Sequence, residues 1–134
     1  MVSRELRLRR GSEFDRVRHR GRSWSSRFLV LSALANGSEK NRYGFAVGKK
    51  VGGAVQRNRA KRVMREAIRE LHPQLQQGFD VVVIARNSFT PELKTPEVVS
   101  QLASLTRRAA LLREEEPDRP GVTEGELNEI REIE

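Results

Sequence analysis

The chain has 134 residues, 37% hydrophobic and 5% aromatic, which suits one domain around a single modest core. It contains no cysteine, which excludes a disulfide framework and thiolate metal sites and fits a reducing compartment. No apolar run approaches the roughly 18 residues of a membrane span. The basic start MVSRELRLRRG lacks the apolar stretch of a signal peptide, so a soluble, cytoplasmic protein with no membrane partner is expected.

The formal net charge is +8, and it is unevenly spread. Residues 1–112 hold 23 Lys and Arg against 9 Asp and Glu, whereas residues 113–134 hold 3 against 9. The division predicts a basic domain over 1–112 and an acidic, disordered tail over 113–134, with a short helix allowed at 123–133. A body this basic repels itself unless a polyanion offsets the charge. Nucleic acid is the first partner class, and an anionic membrane surface the second.

In chain order, SEFDRVRH (12–19) reads as a short helix with Ser12 as its N-cap, ended by Gly21. A short strand is allowed near 22–26. RFLVLSAL (27–34) and RYGFAVG (42–48) read as strands, and the turn-rich ANGSEKN between them predicts a hairpin. From Ala54 to Leu71 the period becomes helical. Ala60, Val63, Met64, Ala67, Ile68 and Leu71 fall within an arc of about 140°, a core-facing stripe ended at Pro73. FDVVVIAR (79–86) reads as a buried strand. Residues 96–112 read as a final helix with Val98, Val99, Leu102, Leu105, Ala109 and Leu112 on its apolar face. The order α-β-β(-β)-α-β-α predicts an α+β fold: a two-layer α-β sandwich with a small mixed sheet and three helices.

The stretch VQRNRAKRVMRE (55–66) carries Arg57, Arg59, Lys61, Arg62 and Arg65. An ordinary solvated helix face mixes signs, with Glu–Lys pairs four residues apart. Here nothing acidic occurs between Glu39 and Glu66. Arginine's planar fork matches phosphate oxygens two at a time, so this face points to phosphate binding, with Asn58 as a further donor and acceptor. The preceding loop VGKKVGGAV adds Lys49 and Lys50, then glycines that let backbone approach a phosphate at a helix N-terminus. It is not a P-loop, because the glycine spacing is wrong and no Ser or Thr follows the lysine. Of the seven aromatics, most belong to a core, and those beside cations on a sheet face can stack single-stranded bases. Phe14 is the first such candidate, then Phe28 and Phe45. His19 and His72 are isolated and the carboxylates of the body are scattered. No catalytic residue and no metal site is therefore predicted in the protein.

The run GFAVGKKVGGAVQRNRAKRVMREAIRE (44–70), with its Arg57-Asn58-Arg59 triplet, closely resembles the signature region of the bacterial ribonuclease P protein component. EFDRVRHRG (13–21) is similar to that family's first helix, FLVL (28–31) to its next strand, and DVVVIAR (80–86) to the strand after the basic helix. The resemblance spans roughly residues 6–112. It implies a small protein bound one-to-one to a catalytic RNA, which together remove the 5′ leader of precursor tRNA with Mg2+ held by the RNA. It further implies a left-handed β-α-β crossover through the basic helix. By match, Arg57, Asn58, Arg59, Lys61, Arg62 and Arg65 face the catalytic RNA, and Lys49 and Lys50 serve either surface. Phe14, Arg18, Phe28, Phe45 and Val47 are the leader-cleft candidates. Two positions depart from the family pattern. Arg18 stands where a second aromatic is common, and Ser32 where an aromatic often follows the FVL segment. Without the resemblance, a ribosomal or RNA-chaperone module and a stand-alone nuclease are the competing readings.

Overall fold

The computed structural model describes residues 7–8, 11–90 and 92–112, and the tail at 113–134 lies outside them. The elements are α1 (Gly11–Arg20), β1 (Arg22–Ser25), β2 (Leu29–Ala35), β3 (Arg42–Val47), α2 (Ala54–Leu71), β4 (Phe79–Ala85) and α3 (Thr95–Arg108). The predicted α+β order holds, and the optional first strand is present as β1. The four strands form one mixed sheet in the order β1-β2-β4-β3, with β3 parallel to β4 and the other pairs antiparallel.

The expected hairpin between the second and third strands does not form, because β4 inserts between them and pairs with both. The physical reason lies in β4 itself. Val81 to Ala85 are at most 1% exposed, alternating between the two faces of the sheet, and such a strand is stable only in the middle. The hairpin that does form joins β1 to β2. The turn-rich segment instead arches over the start of β4, where the Asn36 N–H donates to Gly78 O and the Phe79 N–H to Asn41 Oδ1.

On one face, Leu29, Leu31, Tyr43, Phe45, Val81 and Val83 pack against the apolar stripes of α2 and α3. The six residues predicted for the α2 stripe, from Ala60 to Leu71, are all buried. The opposite face is also covered, since Val30, Val82 and Ile84 pack against Val17 and Phe14 of α1. The sandwich thus has α2 and α3 as its main helical layer and α1 as a smaller cover on the other side. Alternation along β2 puts Ser32 on the α1 face, where its hydroxyl pairs with that of Ser23 at 2.7 Å in a fully buried position. The aromatic missing there is replaced by a satisfied polar pair, away from solvent.

The final helix stops four residues earlier than its apolar pattern predicts. Ala110 takes a left-handed φ of 58°, its N–H donates to Arg107 O, and the Leu111 N–H reaches back to Thr106 O at 2.8 Å. These two bonds make a Schellman closure with alanine where glycine is usual. Leu112 then leaves the helix and bridges Leu75. The left-handed conformation costs a non-glycine residue about 1 kcal/mol. Ala110→Gly is therefore expected to raise unfolding stability by about that amount, read as a higher urea midpoint at unchanged slope.

At the β3 start, Arg42 makes a two-point contact with buried Asp80 at 2.9 and 2.7 Å and reaches Glu13 of α1 at 2.8 Å. The Asp80 hydrogen bond is the main cause that raises the Arg42 pKa above its ordinary value. The network clamps α1 to the sheet. Next to it, the Tyr43 hydroxyl shares a 2.6 Å hydrogen bond with His72 Nδ1 and accepts one from Asn41 Nδ2. Burial pushes the Tyr43 phenol up to about 12, against a smaller opposing pull from Asn41. A raised acid in the folded state gives stability that is complete below the unfolded value and lost as pH climbs through the folded one. From 10.0 to about 12 this corresponds to about 3 kcal/mol. Wild type is accordingly expected to lose more stability than Tyr43→Phe across that alkaline window, as measured by urea unfolding at each pH.

Candidate nucleic-acid interface

Helix α2 spans 18 residues, and its N-cap, Gly53, contributes no side-chain hydrogen bond. Its first turn contains no acidic residue, so the positive end of the helix dipole is unopposed there. A short helical turn at Lys49–Val51 presents exposed Lys49 and Lys50 just before it. Along the helix, Asn58, Arg59 and Arg62 are exposed, and Arg57, Lys61 and Arg65 are half-buried at the border of the core stripe. Glu66, the first acid, is engaged elsewhere: it accepts a hydrogen bond from Thr95 at the start of α3.

The half-buried arginines Arg57 and Arg65 are left short of acceptors. The Nε groups of Arg57 and Arg65 are buried with no hydrogen-bond partner among the described residues. Arg65 lies over the Phe45 ring, 5.8 Å from its centroid, a cation–π contact that fixes the side chain. Burial first, and then the nearby charge of Arg7, lower its pKa from the ordinary guanidinium value. Cations gathered against their mutual repulsion, with donors unsatisfied, are what a polyanion completes.

Beside this face lies a cleft of about 400 Å³ across the edge of the sheet. Gly11, Phe14, Asp15 and Arg18 of α1 form one wall, Phe45, Ala46 and Val47 of β3 the floor, and Lys61 of α2 the other wall. At the start of β3, Leu8 N–H donates to Tyr43 O at 2.7 Å, so Tyr43 faces its backbone groups toward the outer edge. By the alternation of a strand, Phe45 and Val47 turn their backbone N–H and C=O toward that same edge, inside the cleft. Phe14 is half-buried and lies directly over Gly44. A Cβ built on Gly44 would sit 2.5 Å from the Phe14 ring tip, so only glycine leaves room for the ring. The Arg18 side chain is only 9% exposed and is paired with Asp15 at 2.9 Å.

The predicted residues therefore divide between two adjoining surfaces. Phe14, Arg18, Phe45 and Val47 meet in the cleft, and Lys61 belongs to both the cleft and the cationic helix. Phe28 does not join them. It precedes β2, on the far side of β4 from the cleft, and lines a separate depression with Leu93, Pro96 and Gln101, with Arg27 over its ring at 5.1 Å. Its assignment to the cleft is corrected on that ground. Gly11, Asp15 and Ala46 also line the cleft and were not predicted, and neither was Gly44, which lies buried against the Phe14 ring. Only Gly44 carries a signal, as a glycine inside a strand that marks close approach.

The Ribonuclease P family model matches residues 2–110. The chain belongs to the ribonuclease P protein family. It is 40% identical over 121 residues to the ribonuclease P protein component of Roseiflexus castenholzii, covering 88% of this chain and 99% of that one. With the corresponding protein of Chloroflexus aurantiacus it shares 41% identity over 111 residues, 83% of this chain and 82% of that one. Among solved structures, the Staphylococcus aureus RNase P protein superposes with a TM-score of 0.72 at 28% identity, covering 81% of this chain and 98% of that one. The Thermotoga maritima RNase P protein gives 0.68 at 31% identity, over 75% and 96%. A ribonuclease P protein is the accessory subunit of a tRNA-processing endoribonuclease whose catalysis resides in RNA. Among the described residues of this one, no group of three or more His, Asp or Glu is placed to hold a metal ion. No described helix is long and apolar enough to cross a membrane.

Proposed function

We propose that this ribonuclease P protein uses its two adjoining surfaces for two different RNA segments. The exposed face of α2, with Arg57, Asn58, Arg59, Arg62 and Arg65, grips the catalytic RNA together with Lys49 and Lys50. The cleft, with Phe14, Arg18, Phe45 and Val47, takes the unpaired 5′ leader of precursor tRNA, and Lys61 stands between the two. The observation that carries this reading is the pair of buried, partnerless Nε groups on Arg57 and Arg65, set in a helix face free of acids and next to an aromatic cleft.

The chemistry follows from those features. Arginine and lysine neutralise phosphates and release their counterions, which lets RNA segments approach and makes affinity fall steeply with salt. Phe14 offers a stacking face, and the outward backbone groups of Phe45 and Val47 offer hydrogen bonds, neither of which depends on base identity. Leader recognition of this kind reads a single strand, not a sequence. Magnesium belongs with the RNA, one protein serves each RNA, and the particle works in the cytoplasm.

The test is cleavage of precursor tRNA at low magnesium by protein alone, catalytic RNA alone and the mixture. Cleavage only in the mixture, or strongly enhanced there, is expected. Cleavage by the protein alone contradicts the reading, and RNA binding without any change in cleavage points instead to a general RNA chaperone.

A further inference from the structure

A second cavity, of about 330 Å³, opens at the β1 edge of the sheet, the edge opposite the leader cleft. Trp24, Leu34, Phe79 and Leu111 give it apolar walls, and exposed Arg20 and Arg22 line it as well. Its chemistry is incomplete among the described residues. Arg20 and Arg22 have no ion-pair partner there. Trp24 is 4% exposed, yet its indole N–H has no acceptor.

The chain leaves the described region from the wall of this cavity, one residue after Leu111. Residues 113–134 lie past the family match, which ends at 110. That segment carries 9 Asp and Glu against 3 Lys and Arg, and it sets Leu127, Ile130 and Ile133 at three-residue intervals among Glu124, Glu126, Glu129 and Glu132. The nine residues 113–121 reach up to about 30 Å when extended, so the later part can return to the point of departure.

We infer that the acidic segment 113–134 is the occupant of this cavity. Leu127 and Ile130 fill the apolar part, the neighbouring glutamates face Arg20 and Arg22, and a carboxylate supplies the acceptor that Trp24 lacks. Oppositely charged surfaces on one chain meet at the high effective concentration of a tether. Docking there neutralises a cationic edge remote from α2 and leaves the proposed RNA surfaces uncovered. Occupancy of this cavity is independent of whether the other edge binds RNA.

Trp24 is the only tryptophan, so its emission reports on this cavity alone. In the full chain, Leu127→Asp with Ile130→Asp is expected to red-shift that emission and raise its quenching by acrylamide. The conservative pair Leu127→Met with Ile130→Val should leave both unchanged, and Arg20→Glu with Arg22→Glu should reproduce the red shift at low salt. Emission and quenching identical between wild type and the Asp variant would overturn the inference. So would a short oligoribonucleotide that quenches Trp24 equally in wild type and the Asp variant, since that result makes RNA the occupant.

Discussion

Replacing Arg57 and Arg59 with alanine is expected to weaken binding of the catalytic RNA by about 3 kcal/mol, roughly a hundredfold, with stability changed by no more than about 0.5 kcal/mol. The asymmetry follows from where the two side chains sit. Arg59 is exposed, and Arg57 borders the core with no protein acceptor for its buried Nε, so neither supports the fold through a bond that would be broken. Their removal even relieves some repulsion among the cations of α2. Each phosphate no longer neutralised should also reduce the slope of log affinity against log salt by about 0.7 to 0.9, giving a total near 1.5 for the pair. Titrations at several salt concentrations, beside a thermal melt, measure both quantities. A large drop in melting temperature at unchanged RNA affinity would make the face a structural one.

The second large effect is expected at Gly44, a residue that presents no side chain to the cleft. Gly44→Ala places a methyl group 2.5 Å from the Phe14 ring tip and 2.9 Å from both flanking ring atoms, so the ring must leave its seat. Base–aromatic stacking contributes about 1–3 kcal/mol, so the preference for precursor tRNA over mature tRNA should fall about 5- to 150-fold. Phe14→Ala should produce the same loss, and the double variant little more, because both act on one stacking surface. Under the proposed division of the two surfaces, neither should alter assembly with the catalytic RNA. Equilibrium binding of the assembled particle to tRNA with and without a leader checks each expectation. Additive losses in the double variant would separate Gly44 from Phe14.

Local pattern made part of this architecture legible. The α2 stripe falls at Ala60, Val63, Met64, Ala67, Ile68 and Leu71 because a long helix repeats its signal many times over. The charge on its other side was equally plain, since acids are absent for a whole stretch of chain. The pairing of strands was not. β2 and β3 look like a hairpin because they are consecutive around a turn, yet the doubly buried β4 takes the middle, a decision made by contacts far apart in sequence. The end of α3 is not legible in the sequence because Ala110 adopts a conformation that its residue type does not announce. Phe28 matches Phe14 and Phe45 as an aromatic beside cations, and only the strand order separates them. The resemblance to ribonuclease P proteins implies Phe14, Phe45 and Val47 as neighbours in a cleft, and the fold adds Gly44 as the residue that seats the Phe14 ring.

Two RNA segments are expected to meet this protein on either side of Lys61. The most direct measurement places a photoreactive group at position 61 and, separately, at position 62, in the particle assembled with catalytic RNA and precursor tRNA. Position 61 is expected to cross-link to leader nucleotides, and exposed position 62 to the catalytic RNA. Cross-links from both positions to the catalytic RNA alone, with the leader untouched, would contradict the account.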